Sequence, residues 1–244
     1  MSVAVVIAIT LICILWSLWI RRVTWTCRWE VAATLNIALQ GVAVALMSPL
    51  ASEYLGPVLH DLTGKWNFED YLGHDCYIVA ASAIVYNALG RLQNDDAMQR
   101  SFRQYVERPA TLCIPVLLAA FWLGNGAAVY RPDFFQVPTD FWLSVYWVVL
   151  CSILIYLLGY GMRALFVLRT DPRSRRIANI YLAASTSGML ACGIRILTAC
   201  VPALQPHENG KLVWVFACGC GAVFALAAAH SWRIKTRWLS PSRR

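Results

Sequence analysis

The sequence predicts an all-α membrane bundle of seven transmembrane helices, and three observations predict it. The 244 residues are 59% hydrophobic and only 14% charged, against roughly half and a quarter in a soluble domain. Mean hydropathy is +0.55. The apolar residues gather into seven long runs separated by short, charged connectors. A helix needs about 20 apolar residues to cross the hydrocarbon core, so seven spans leave no room for a soluble catalytic domain. Strands do not explain such runs, because backbone groups in hydrocarbon must be satisfied within the segment.

The first run, Val3 to Ile20, lacks a positive leader and a small-residue cleavage site, so it reads as an uncleaved helix rather than a signal peptide. The second, Val31 to Leu50, carries Asn36 and Gln40 four apart on one polar face. The third, Tyr71 to Leu92, sets Asp75, Ser82 and Tyr86 along a second face, with His74 beside Asp75. The fourth, Ala110 to Tyr130, includes Gly124-Asn125-Gly126, and the fifth runs from Phe141 to Arg163. The sixth, Ile180 to Val201, is rich in Ala, Ser and Gly yet contains Arg195. The seventh, Leu212 to His230, has Gly221 and Ala225 at the small-xxx-small spacing of closely packed helices. Together they make one membrane domain over residues 1–232, followed by a basic tail over 233–244.

Connector charge sets an orientation. Basic residues follow the first run (Arg21, Arg22, Arg28), the third (Arg91, Arg100, Arg103, Arg108) and the fifth (Arg163, Arg169, Arg173, Arg175, Arg176). The tail adds Arg233, Lys235, Arg237, Arg243 and Arg244, which leaves Lys65, Arg131 and Lys211 for the other side. The positive-inside rule then puts the N-terminus outside and the C-terminus in the cytoplasm, in the cytoplasmic membrane. The net charge of +8 is consumed by this topology, so it does not point to nucleic acid. The expected partners are the lipid bilayer, anionic headgroups beneath the tail, and a protein partner or a second copy of the chain.

Ionisable residues inside a span are costly and therefore informative. Arg195 and Asp75 fall at similar depths, which predicts an ion pair or ligand site between the third and sixth helices, with His74 beside it. His60, Asp61, Glu69 and Asp70 make the nearby outer connector acidic; it reads as a solvated surface, with pH sensing or a divalent cation as the alternative. Asn36, Gln40, Ser82 and Tyr86 read as polar helix faces that hydrogen-bond between helices or line a path. No cofactor is expected. His74 and His230 lie at opposite ends of the bundle and cannot share a haem, and the seventh run has no lysine for a Schiff base. The nine cysteines show no zinc spacing. Cys76 and Cys200 lie toward the same ends of their helices, which leaves a disulfide open. Phosphate-loop, dinucleotide, metalloprotease and nucleophile-elbow motifs are missing, so no enzyme is expected.

Between the second and third runs stand Leu62, Thr63, Gly64 and Asn67 in an LTGxxN pattern, with Leu72 and His74 in the place of an LxxH. This stretch resembles a family of actinobacterial and actinophage seven-helix membrane proteins with the same N-out layout. The resemblance implies a transporter label and relatives encoded beside small DNA-binding regulators. It covers 13 residues, Leu62 to His74, and beyond them only the layout agrees. The high Trp and Cys content departs from the Leu/Ala-rich bacterial members and fits a phage-borne or divergent version. The sugar-transporting proteins of 3 + 1 + 3 helices have a Pro-Gln signature that this chain lacks. Two functions are therefore expected: a regulatory or interaction protein of the cell envelope, exclusion-like if phage-borne, or a small-solute or ion transporter or sensor with an outer-facing charged site.

Overall fold

The protein is seen here as a computed structural model that describes residues 2–28, 30–92, 94–172, 174–204 and 210–239. Arg173, Glu208, Arg243 and Arg244 lie outside the described residues. The described chain is helical, and no strand occurs among the described residues. Its helices are α1 (Val3–Ile20), α2 (Val31–Leu46), α3 (Pro49–Tyr54), α4 (Gly56–Thr63), α5 (Phe68–Leu89), α6 (Asp95–Phe102), α7 (Arg108–Leu123), α8 (Asn125–Ala128), α9 (Phe141–Leu168), α10 (Arg175–Cys200) and α11 (Lys211–Leu239).

Five helical stretches are long and apolar enough to cross a membrane: Val3–Ile20, Asp95–Leu123, Phe141–Leu168, Arg175–Cys200 and Lys211–Thr236. Helix α2 is apolar but spans only 16 residues. Helix α5 has 22 residues and brings Glu69, Asp70 and Asp75 with it. Large apolar side chains face outward around the bundle, among them Ile12, Leu15, Leu112, Phe166 and Leu197, as a lipid-facing surface requires.

Each expected run contains a long helix, and the boundaries move for physical reasons. Helix α2 stops at Leu46, short of the expected Leu50, because Pro49 cannot donate to a continuing helix. Ser48 instead caps α3, its hydroxyl accepting from the Ala51 N–H at 3.2 Å. Helix α7 stops at Leu123, where Gly124 is extended, and a π turn over Arg103–Glu107 joins it to α6. Asp140 caps α9, accepting from the Leu143 N–H at 2.9 Å. Helix α11 continues through most of the expected tail, as far as Leu239. All nine cysteines, each described, are free, so the Cys76–Cys200 disulfide does not form.

Packing follows a ring. Helix α2 lies on α5, α5 on α9, α9 on α10, α10 on α11, and α11 closes back onto α2. Helix α1 fills the outer groove between α2 and α11, and α7 fills the one between α5 and α9. Small polar side chains bind α1 to α11: Ser17 Oγ donates to the Ala225 carbonyl at 2.7 Å and Thr10 Oγ1 to the Cys218 carbonyl at 3.4 Å. One end of the ring, the basic end, gathers Arg21, Glu30, Arg91 and Lys235. The other, the capped end, is covered by α3, α4, α8 and the connector from Val129 to Asp140.

Candidate functional site: a cavity on the axis of the helix ring

The capped end is built by the LTGxxN residues. Gly64 ends α4 with φ at +69°, a left-handed conformation that glycine adopts without cost. Thr63 Oγ1 accepts from the Lys65 N–H at 3.2 Å and donates to the Leu59 carbonyl at 2.7 Å. Asn67 is also left-handed, with φ at 55°, and fully buried. Its Nδ2 donates to the carbonyls of Gly126 at 2.7 Å and Val129 at 2.9 Å. These residues tie the α4–α5 connector to the α8 connector; they act on the fold.

Past Val129 the chain turns inward. Phe134, Phe135 and Val137 are buried and form a plug over the ring. Asp133 starts its turn, accepting from the Phe135 N–H at 3.1 Å and from the Trp214 indole N–H at 3.3 Å. Burial pushes the Asp133 carboxyl above its usual range, and those two donors, Gln136 and the field of Arg195 offset part of the rise.

Beneath the plug lies a cavity of about 100 Å³ on the ring axis. Its aromatic wall includes Tyr77, Phe135, Trp147 and Trp214, and its polar lining comprises His74, Arg195, Asn36 and Gln40. His74 Nδ1 is 2.8 Å from the Tyr146 hydroxyl, and its ring meets Trp147 edge-on at 5.1 Å. The Arg195 guanidinium lies over the Trp147 ring at 4.1 Å and donates to Thr198 Oγ1 at 3.4 Å. A cation on an indole face, away from water, gains about 2 kcal/mol. Lower in the cavity Asn36 Nδ2 donates to the Ala80 carbonyl at 2.7 Å, and Gln40 Nε2 to Asn36 Oδ1 at 3.0 Å.

Four of the expected site residues, His74, Arg195, Asn36 and Gln40, thus meet at one cavity, while three do not. Asp75 and Arg195 form no ion pair among the described residues. One residue along a helix is a turn of about 100°, so with His74 facing the axis Asp75 faces α7, near Cys113 and Tyr71. Ser82 donates to its own helix at the Ile78 carbonyl, 2.9 Å away. The Tyr86 ring packs edge-on against Phe102 at 5.1 Å. The acidic connector is a solvated surface only in part, since Asp61 is exposed. Glu69 and Asp70 are buried, and His60 stacks on Trp66 at 3.8 Å. No group of three or more metal-ligating side chains occurs among the described residues.

The basic end holds a second constellation, which connector charge alone hides. Glu30 is buried, and its carboxylate meets Arg21 at 2.9 Å, Arg91 at 3.6 Å and Lys235. Arg21, 1% exposed, also donates to the Ala228 carbonyl at 3.1 Å and to Thr34 Oγ1 at 3.2 Å. Burial opposes the Glu30 charge, yet Lys235 and Arg21 outweigh it and hold the carboxyl below its ordinary 4.5. The sequence signal is a lone acid, Glu30, in a connector otherwise basic.

The fold and site define a class: a ring of apolar helices around a small cavity with an aromatic wall and a cationic corner. Comparisons with family models, with curated proteins and with solved structures return no match for this chain.

Proposed function

We propose that the protein crosses the cytoplasmic membrane seven times, N-terminus outside, and binds a small anionic solute in the axial cavity. The asymmetry of basic residues between connectors supports the orientation. Tryptophans at the basic end support the depth: Arg22 lies over Trp19 at 4.7 Å and Arg233 over Trp16 at 4.9 Å, as in an interfacial aromatic belt. On this reading α2 and α5 also span, because each packs within the ring and its polar side chains face protein. The protein binds its solute without transforming it.

The observation that carries the reading is the cavity itself. An apolar wall with a few convergent polar groups is the usual make-up of a small-molecule site. Its volume of about 100 Å³ is below the 150 Å³ cavity that holds benzene, so the solute has only a few non-hydrogen atoms. Arg195 supplies the charge-assisted contact and the Asn36–Gln40 pair a second polar one. The solute-binding class is therefore favoured over a purely interaction-based envelope role. The transporter label implied by the LTGxxN resemblance agrees with it.

Thermal unfolding of the purified protein against small carboxylates, sulfonates, amines and alcohols tests this. A ligand at 100 times its Kd adds about 2.7 kcal/mol. Small anions stabilise the wild type and lose that effect in Arg195→Gln. A response equal for amines and anions, or flat across the panel, overturns the reading in favour of a protein-interaction role.

A further inference from the structure

The cavity does not end the space along the ring axis. A second opening, of about 180 Å³, lies at the basic end, lined by Ala88 of α5, Arg91 just past its end, Leu165 and Leu168 of α9, Tyr181 of α10 and Lys235 of α11. It shares its helix faces with the axial cavity. On α10 the cavity is lined by Arg195 and Gly188, and the opening by Tyr181 and Ile177, in steps of one or two turns. On α5 the sequence is His74, Tyr77 and Ala81 for the cavity, then Ile84 and Ala88 for the opening, with Arg91 in the turn that follows the helix. Between them Ile84, Ala184, Cys220 and Phe224 pack into one small apolar cluster with Tyr181 against it. The Tyr181 and Phe224 rings are 5.4 Å apart. About two helical turns separate the hollows on α9, α10 and α11 (Leu158 to Leu165, Gly188 to Tyr181, Phe224 to Ser231), and one turn on α5 (Ala81 to Ile84).

Both hollows carry cations. Arg195 lines the upper one, and Arg91 and Lys235 line the lower. A third opening, of about 240 Å³, adjoins the lower hollow at Asn87, Arg91 and Lys235 and adds Arg28. Glu30 is the carboxylate that Arg91 and Lys235 share with Arg21, and Arg28 pairs with Asp95 at 2.8 Å. A basic funnel concentrates anions, an apolar constriction gates by excluding water, and an arginine beyond it receives the charge.

We propose that the axial cavity and the basic opening are two stations of one translocation path for a small anion. The Ile84–Tyr181–Phe224 constriction is its inner gate, and the Phe134–Phe135 plug its outer closure. The inference rests on the axial cavity being a binding site and adds movement through the ring.

Methanesulfonate is a suitable probe, being small and permanently charged, so it does not cross lipid as a neutral acid. Purified protein is reconstituted into phosphatidylcholine vesicles, and uptake of labelled methanesulfonate is measured beside its effect on thermal unfolding. Wild-type vesicles preloaded with unlabelled methanesulfonate exchange it one for one with the labelled probe faster than protein-free ones, and labelled potassium does not exchange. Tyr181→Ala, which trims a partly exposed ring from the gate, raises the rate; Arg91→Gln lowers it about tenfold at low salt; Lys211→Gln, at the opposite end, does not change it. Wild-type and Tyr181→Ala uptake no faster than protein-free vesicles, with thermal stabilisation intact, overturns translocation and leaves a receptor. Loss of both uptake and stabilisation overturns the binding reading as well. The wild-type comparison stands alone if a variant fails to fold.

Discussion

Arg21 and Glu30 form an energetic centre hidden in what reads, in the sequence, as a topology signal. Removing one partner of a buried pair costs about 3–5 kcal/mol, because the other charge is left without compensation. Arg21 is committed further, through its bonds to Ala228 and Thr34, so the knot binds α1, α2 and α11 at one point. Its pH dependence has a definite sign. The Glu30 pKa is depressed in the folded protein, so its contribution is full above the ordinary value of 4.5 and is lost as pH falls through the folded value. Asp133 is shifted upward and opposes this, gaining stability on acidification. The two separate in a difference experiment: wild type exceeds Glu30→Gln in stability above pH 4.5, and the gap closes below it. A gap independent of pH would show that the Glu30 charge contributes nothing.

At the scale of elements, the connectors hold most of the structure that periodicity does not reveal. The seven apolar runs locate the long helices, since burying or solvating a helix in lipid needs only length and hydropathy. Their ends depend on single residues: Pro49 ends α2 early and Gly124 does the same for α7. Rotation about each axis is harder to read. His74 and Asp75 are neighbours in the same helix, and nothing in the composition says which of them faces the ring axis. The plug is not legible in the sequence because Phe134-Phe135 is too short an apolar pair to register as an element, although two phenylalanines in a connector are a usable sign. Asn36–Gln40 was legible because two amides one turn apart mark a face wherever the helix points.

The Asn67 lock is the connector that bears most directly on the plug. Asn67→Ala forfeits its side-chain hydrogen bonds, each about 0.5–1.5 kcal/mol, and adds roughly 1–2 kcal/mol for a left-handed alanine. Asn67→Gly forfeits only the bonds. Unfolding in detergent should rank wild type above Asn67→Gly above Asn67→Ala. Equal stability of the Gly and Ala variants would show that the left-handed backbone at residue 67 is not required.

For the whole molecule, the ring explains why so many polar residues are affordable in an apolar chain. Exposed apolar side chains lie on α1, α7 and the outer faces of the ring, while His74, Arg195, Asn36 and Gln40 look inward. Glycines permit the close approach this needs: a Cβ on Gly73 would stand 2.7 Å from Met47, and one on Gly188 3.0 Å from Cys220 and Leu158. The central claim is that the ring encloses real empty space that a solute occupies. The most direct test is Ala81→Leu, placed on α5 in the cavity wall, with stability and small-anion response measured together. The account predicts a protein at least as stable as wild type, because the added methyl groups fill a void, and one that small anions no longer stabilise. A loss of about 1–3 kcal/mol, the usual cost of overpacking a filled core, together with an unchanged anion response, would contradict it.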